Sequence, residues 1–194
     1  MSRATPQPGS QRAPITWARV ARRIRVPLSF LAAGAYIWLA HPTWTSILFG
    51  TLVVLPGLFL RAFASGHVQK DAQLTTSGPY AYTRNPLYLG SLVMAAGFAI
   101  AARSAWLVAI MVLIFVLIYV PVIAGEERSL RQAFPEYAKY AQRVPRILPR
   151  LTPYGSQKGE YSSARYWKHR EYQATLGSLA MLVILVVKLL VFPR

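Results

Sequence analysis

The chain has 194 residues, of which 54% are hydrophobic and only 14% are charged. A typical soluble domain has about 25% charged residues, so this composition excludes an ordinary soluble domain and indicates a membrane protein. The 22 Lys and Arg against 6 Asp and Glu give a net charge of +16. Because the basic residues lie between apolar segments, they favour contact with anionic lipid over nucleic acid. The chain has no cysteine, which excludes disulfides and thiolate metal sites.

The N-terminal 25 residues are polar and basic. Residues Met1–Pro14 are rich in Pro, Gln, Ser and Arg without periodicity, which predicts a disordered tail. From Ile15 to Arg25, apolar residues such as Trp17 alternate with arginines. This pattern predicts a basic helix that lies on the lipid headgroups.

Five apolar segments follow, and they predict an all-α, polytopic membrane helical bundle of about five transmembrane helices. The segments are Val26–Ala40, Trp44–Leu60, Pro86–Ala102, Ala105–Gly125 and Thr175–Phe192. A spanning helix needs roughly 17–25 residues, so the fourth segment is long enough and the first is short. Very short turns, 41–43 and 103–104, join the first two segments and the next two. Each pair is therefore expected to form an antiparallel hairpin.

The distribution of arginine and lysine predicts the orientation. The N-terminal flank, the loop 61–85 and the segment 126–174 carry most basic residues, whereas the two hairpin turns contain only Arg103. With five crossings, these basic regions lie on one side, which the positive-inside rule assigns to the cytosol. We therefore expect an integral protein of the plasma (inner) membrane with its larger loops in the cytosol.

The segment after the fourth apolar stretch predicts short re-entrant or amphipathic helices. Its apolar residues recur at spacings of four and three, which is typical of a helix with one apolar face. They are Leu130, Phe134, Tyr137, Ala141 and Val144. Pro135 interrupts the pattern, so two short helices are expected in place of one.

The domain organisation follows from these elements. We expect a basic tail and interfacial helix (1–25), a first transmembrane hairpin (26–60), a core that contains the second hairpin (61–150), a cytosolic tether (151–174) and a last transmembrane helix (175–194).

A polar loop, Ser77–Gly90, runs directly into the third apolar segment. Because the residue before a proline avoids helical geometry, Asn85 is predicted as the N-cap and Pro86 as the first helical residue. The free N–H groups of such a helix start favour an anionic group. An ordinary interfacial loop with a tyrosine belt is the alternative interpretation.

Two adjacent acids, Glu126 and Glu127, follow the fourth apolar segment. Carboxylates at the membrane edge must be paired or hydrated. Neighbours on a helix point about 100° apart, so one acid can face a pocket while the other pairs with an arginine. The alternative is that they only mark where the helix leaves lipid, close to Arg128 and Arg131.

Metal and dinucleotide sites have no sequence support. The histidines, His41, His67 and His169, are scattered and form no HExxH motif, so we expect no metal site. No GxG occurs, which excludes a Rossmann fingerprint.

Two blocks of residues carry a family resemblance. They are Gly78–Gly90 and, later, Glu126-Glu127 followed by Leu130, Phe134, Tyr137, Tyr140, Val144-Pro145-Arg146 and Pro149. In this order, the pair resembles the isoprenylcysteine carboxyl methyltransferase family, which belongs with the phospholipid methyltransferases among integral membrane enzymes that use S-adenosylmethionine. The resemblance covers residues 61–149. Many members carry histidine where this chain has Asn85, and the resemblance does not fix the acceptor.

The resemblance implies that S-adenosylmethionine enters from the cytosol between the third and fourth helices, under the short helices that follow Glu127. The implied cofactor-binding residues are Tyr80, Asn85, Pro86, Tyr88, Leu89, Gly90, Glu126, Glu127, Tyr137, Tyr140 and Arg143. Carboxylates suit the ribose hydroxyls or the ammonium, tyrosine faces suit the sulfonium, and a helix N-terminus or an arginine suits the cofactor's carboxylate.

Arg84 and Glu171 are the candidate catalytic residues. Arg84 could hold the cofactor's carboxylate or an acidic acceptor. Glu171 could orient an acceptor amine or hydroxyl, or be a headgroup-level charge beside Arg170. Arg146 and Arg150 are interpreted as phosphate-binding residues at the interface.

The expected function is transfer of a methyl group to a lipid, prenylated or amphiphilic acceptor at the cytosolic membrane face. The expected partners are the lipid bilayer and that acceptor, with no nucleic acid and no metal. The alternatives are an NADPH-dependent membrane reductase of the sterol-reductase type and a non-enzymatic membrane scaffold.

Overall fold

The computed structural model describes residues 17–68, 73–156 and 159–192, and this part of the chain is helical with no β-strand. The helices are α1 (Trp17–Leu39), α2 (Trp44–His67), α3 (Pro86–Ala102), α4 (Ala105–Ile114), α5 (Val120–Ala133), α6 (Tyr137–Arg143), α7 (Ser163–Lys168) and α8 (Tyr172–Val191). A 3₁₀ turn, Gly78–Ala81, precedes α3, and a π-turn, Phe115–Tyr119, joins α4 to α5 without a break.

Within the described residues, three helices are long and apolar enough to cross a membrane. They are Trp44–His67, Ala105–Ala133 and Tyr172–Val191. The apolar stretches Phe30–Leu39 and Pro86–Ala102 are shorter. The predicted all-helical membrane fold is therefore confirmed, and the chain is an integral membrane protein. The number of five transmembrane helices stays a prediction.

The N-terminal part of the chain differs from the prediction. A single 23-residue helix, α1, contains both the basic stretch from Trp17 and the first apolar segment. The helix continues through Pro27 without a break. The basic stretch therefore does not form a separate interfacial helix. The predicted tail, Met1–Pro14, lies outside the described residues.

The helix that carries the twin acids extends further than expected. The fourth apolar segment continues through the π-turn into α5, which ends only at Ala133, so both acids are inside a helix. The sequence after Gly125 contains good helix formers and no proline before Pro135. The predicted division at Phe134-Pro135 is found, since α6 begins at Tyr137.

Two short connections lie together at one end of the bundle, here called the turn end. The His41 N–H donates to the Ala102 carbonyl at 2.7 Å, which joins the α1–α2 connection to the α3–α4 turn. Arg103 ends α3 in the left-handed conformation with φ of 51°. The opposite end, here called the site end, holds the starts of α1, α3 and α8 and the acids of α5.

The packing partners are not those of two simple hairpins. α2 packs along α3, while α1 packs chiefly against α4, the π-turn and α5. Glycines permit the close approach of α2 and α3: a Cβ on Gly97 would lie 2.6 Å from the Gly50 carbonyl oxygen, and one on Gly90 would lie 2.8 Å from that of Gly57. Small residues are the usual means of tight helix contact in membranes.

Lys188 of α8 binds the C-terminal end of α1. Its Nζ donates to the carbonyls of Ile37 at 2.5 Å, Trp38 at 3.0 Å and Ala40 at 2.7 Å. These are carbonyls that a helix end leaves without an intrahelical partner, and a cation is favourable there. Lys188 therefore caps the end of α1 from α8.

Replacing Lys188 by methionine is therefore expected to lower the free energy of unfolding. The loss should be about 1.5–3 kcal/mol, the range for hydrogen bonds to a charged group. Thermal unfolding of the purified protein in detergent measures it, with Lys168→Met on the exposed side of α7 as the matched control. Equal unfolding temperatures for the two variants would contradict the capping role.

Candidate functional site

The start of α3 supplies the first part of the site. Asn85 occupies the N-cap and Pro86 the first turn, as predicted. The Asn85 side chain does not cap its own helix, because its backbone is not in the extended conformation of a capping residue. Instead, its amide donates to the Arg146 carbonyl at 3.0 Å and to Glu127 Oε1 at 3.4 Å. The residue therefore links α3 to α5 and to the segment after α6.

Glu127 is the centre of this polar cluster. The residue is only 4% exposed, and Arg146 binds its carboxylate with Nη2 2.7 Å from Oε2 and Nε 3.2 Å from Oε1. Arg84 Nη1 lies 3.4 Å from Oε1. A buried carboxylate needs such partners, and the hydrogen bonds to Glu127 raise the pKa of Arg146. The protein's own groups thus hold Glu127, which binds three segments together.

The chain after α6 covers the start of α3. This covering segment, residues 144–154, is held by backbone hydrogen bonds to residues 81–84. The bonds are Arg84 N to Pro145 O (2.9 Å), Arg150 N to Tyr82 O (3.0 Å) and Tyr154 N to Ala81 O (2.9 Å). Arg146 lies in this segment and binds Glu127, and Arg150 bonds the Arg143 carbonyl and Thr152. Their phosphate-binding role stays a prediction.

Tyr140 of α6 is bonded to the turn that precedes α3. The Tyr140 hydroxyl donates to the Tyr80 carbonyl at 2.7 Å and joins α6 to the 3₁₀ turn. Burial raises the pKa of Tyr140, and burial together with Glu126 and Glu171 raises that of Tyr80. Arg143, at the end of α6, has an exposed side chain.

Two buried donors remain unused at the same place. The Tyr137 hydroxyl and Arg84 Nε are buried without a hydrogen-bond partner of good geometry among the described residues. The Arg84 guanidinium nevertheless lies beside Tyr137 and opposes the rise in the pKa of Tyr137 that burial and Glu127 cause. An unsatisfied buried donor costs about 1–3 kcal/mol, so these groups are candidates for contact with a ligand.

Glu126 points to a different neighbour from Glu127. It accepts a hydrogen bond from the Tyr88 hydroxyl at 3.0 Å. The two acids therefore face different partners, as the 100° offset predicted. Glu126 faces α3, and Glu127 pairs with Arg84 and Arg146. Of the two expected partners, Arg128 bonds the Ala124 carbonyl and Arg131 lies over the Tyr137 ring.

An apolar cavity of about 370 Å³ lies between α3 and the α4–π-turn helix. α3 and α4 share little contact with each other. Its lining includes Tyr88, Ser91, Ala95, Val112, Phe115 and Tyr119. Tyr88 and Tyr119, in edge-to-face contact with centroids 5.9 Å apart, lie towards the site end. The cavity therefore reaches the Tyr88–Glu126 pair.

Glu171 lies in a second polar cluster. It is buried at the start of α8, with Oε1 2.5 Å from Arg61 Nε of α2. Arg61 Nη1 also donates to Ser91 Oγ at 2.5 Å and to the Leu87 carbonyl at 3.3 Å. The sequence reasoning did not assign Arg61 to the site, although a single arginine that closes an apolar segment was a usable signal. Since Ser91 lines the cavity, this cluster borders it.

The remaining predicted residues lie at the start of α3. Gly90 faces α2, because a Cβ there would meet Arg61 and Gly57, so its place in this structure is a helix contact. Pro86 is buried and Leu89 is half-buried. The cofactor roles of these residues stay predictions.

Comparison with known proteins bears on this arrangement. Residues 57–137 match the model of the phospholipid methyltransferase family. This matched region runs from the end of α2 to the start of α6, and it includes Arg61, the start of α3, the cavity and both acids. The resemblance recognised in the sequence is thus confirmed at the level of this family.

Two curated proteins are similar to part of this chain. The cobalt-zinc-cadmium resistance protein CzcN of Cupriavidus metallidurans is 40% identical over 119 residues, which are 58% of this chain and 54% of that protein. The nickel-cobalt-cadmium resistance protein NccN of Alcaligenes xylosoxydans xylosoxydans is 35% identical over 121 residues, 62% of this chain and 56% of that protein. The chain thus spans about half the length of these relatives. No solved structure matches.

Proposed function

We propose that this protein is an integral membrane methyltransferase that moves the methyl group of S-adenosylmethionine to a lipid, prenylated or amphiphilic acceptor at the cytosolic membrane face. The observation that carries the proposal is that Tyr88 belongs to both parts of the site: its ring lines the apolar cavity, and its hydroxyl binds Glu126. A methyl acceptor with an apolar chain needs an apolar cavity that ends at polar groups.

The residues present fit the cofactor. The two buried donors, Arg84 Nε and the Tyr137 hydroxyl, suit its carboxylate. Glu126 suits its ammonium or a ribose hydroxyl, and the tyrosine rings suit its cationic sulfur. Because Glu127 is already held by Arg84, Arg146 and Asn85, we assign it to holding the walls of the site.

The cofactor supplies an already activated methyl group. What this chain must contribute is proximity and exclusion of water, and a strong acid–base pair is not required. The covering segment, pinned to residues 81–84, excludes water on one side. On the other side, the cavity holds the apolar chain of the acceptor, and the polar head of the acceptor lies beside Arg61, Glu171 and Ser91. We propose that Glu171, together with Arg61, orients this polar head.

Cofactor titration tests the proposal. The purified protein in detergent is titrated with S-adenosylmethionine and, separately, with NADPH. Saturable binding of S-adenosylmethionine alone is the expected result. Binding of NADPH alone would establish the reductase alternative, and binding of neither would support the scaffold alternative. The family match already favours the first outcome.

Filling the cavity should affect the acceptor selectively. Ala95→Phe adds a ring inside the cavity, so we expect the KM for a lipid acceptor to rise at least about tenfold, the effect of about 1.4 kcal/mol. The affinity for S-adenosylmethionine should stay unchanged. Ile100→Phe, on an exposed position of the same helix, is the matched control. An unchanged acceptor KM in Ala95→Phe would exclude the cavity as the acceptor site.

The two similar proteins are named for resistance to metal ions. If this chain serves metal tolerance, we propose that it does so by methylating a membrane component, because its matched region is similar to a methyltransferase family. Growth of a deletion strain in cobalt, zinc or cadmium, complemented with wild type or with Glu127→Gln, tests this. Equal rescue by both would refute it.

A further inference from the structure

Pro121 lies two residues after the π-turn that joins α4 to α5. Pro121 has no N–H, so the carbonyl of Leu117, four residues earlier, lacks its α-helical donor, and the proline ring would clash with that carbonyl in a regular helix. The chain forms a π-turn over Phe115–Tyr119 at this place. Such turns are frequent at functional sites. Because the turn lies in a helix able to cross the membrane, a carbonyl without a donor is costly there.

A residue distant in the sequence supplies the missing donor. The indole Nε1 of Trp17, the first residue of α1, donates to the Leu117 carbonyl at 3.0 Å. The start of α1 is therefore bonded to the carbonyl that lies four residues before Pro121 and so lacks its α-helical N–H donor.

The π-turn carries a ring of the site. Tyr119 is its last residue, and its ring contacts Tyr88 edge to face at 80° between planes. Leu28 of α1 packs against the same group, in which Ile118 and Val122 are buried. A change in the turn would thus move Tyr119 and, through it, the Tyr88 ring whose hydroxyl binds Glu126.

We propose that Trp17 is a positioning residue for the methyl-transfer site: it supplies the donor that Pro121 cannot, fixes the π-turn and holds Tyr119 against Tyr88. The proposal rests on the proposed function for its catalytic consequence only. α1 then acts as a support of the active site, although it lies outside the matched region.

A double-mutant cycle tests this on the full chain in lipid nanodiscs. Trp17→Phe removes the donor and is expected to lower kcat/KM for methyl transfer about three- to tenfold, the effect of one hydrogen bond. Pro121→Ala restores the backbone donor, so in that background Trp17→Phe should change kcat/KM less than about twofold. Trp106→Phe, at a 74% exposed position, is the control and should change nothing. Equal losses from Trp17→Phe in both backgrounds would overturn the proposal.

A second readout does not depend on activity. With 3-fluorotyrosine incorporated, the ¹⁹F resonances of Tyr88 and Tyr119 are assigned by their loss in Tyr88→Phe and Tyr119→Phe. Both should move in Trp17→Phe, and neither should move further when Trp17→Phe is added to Pro121→Ala. Unmoved resonances in Trp17→Phe would overturn the positioning role. A wild-type protein without methyl transfer would refute the proposed function, while these resonances still decide the role of Trp17.

Discussion

Glu127→Gln is expected to lower the affinity for S-adenosylmethionine by roughly thirtyfold or more and to destabilise the protein. The change removes the negative charge that Arg84 and Arg146 share. Breaking a buried pair costs about 3–5 kcal/mol. Because Arg146 is half exposed, we expect the free energy of unfolding to fall by about 2–3 kcal/mol. We expect the favourable free energy of cofactor binding to fall by a similar amount, and every 1.4 kcal/mol is a factor of ten in affinity.

The effect reaches the cofactor through the walls of the site. Without the carboxylate, the covering segment loses its side-chain contact with α5, and the Arg84 guanidinium loses the partner that orients it. Isothermal titration gives the affinity, and thermal unfolding gives the stability. Glu136→Gln, at an exposed position before α6, is the matched control and should leave both unchanged. A Glu127→Gln protein that binds S-adenosylmethionine like the wild type would show that the cluster does not shape the site.

Gly97→Ala is expected to destabilise the bundle by about 1–3 kcal/mol, the usual range for overpacking a core. The added methyl would lie 2.6 Å from the Gly50 carbonyl oxygen and 2.7 Å from the Val54 backbone nitrogen. Both are backbone atoms, so they cannot turn aside as a side chain could. α2 and α3 must therefore separate, and the Arg61–Ser91 contact between them weakens as well.

The matched control is Gly177→Ala in α8, where an added Cβ meets nothing within 4 Å. Alanine favours a helix over glycine by about 1 kcal/mol, so this variant should be as stable as wild type or more stable. The two identical substitutions are thus expected to have opposite signs. Thermal unfolding in detergent compares them, and a Gly97→Ala protein as stable as Gly177→Ala would contradict the close α2–α3 contact.

Local sequence rules predicted the parts of the site that depend on neighbouring residues. Asn85 before Pro86 predicted where α3 begins, and the helical repeat predicted that Glu126 and Glu127 face different partners. Both inferences need only backbone geometry within a few residues. The family resemblance then identified the pair of blocks that the structure brings together.

The long-range contacts could not be predicted in the same way. Arg146 follows Glu127 by 19 residues, and no local rule separates it from the other arginines of the segment. Pro121 was visible inside the fourth apolar segment, but its π-turn and the donor from Trp17 depend on how α1 packs. The approach of α2 to α3 likewise places Gly90 in a helix contact that no local rule predicted.

Methyl transfer itself is the most direct test of the central claim. The purified protein in nanodiscs is incubated with S-adenosylmethionine labelled at its methyl group and with a lipid extract of the host, and the lipid-soluble products are separated. We predict a labelled lipid or amphiphile that wild type makes and Glu127→Gln makes at least thirtyfold more slowly. Label that stays wholly on the cofactor with the wild-type protein would contradict the account.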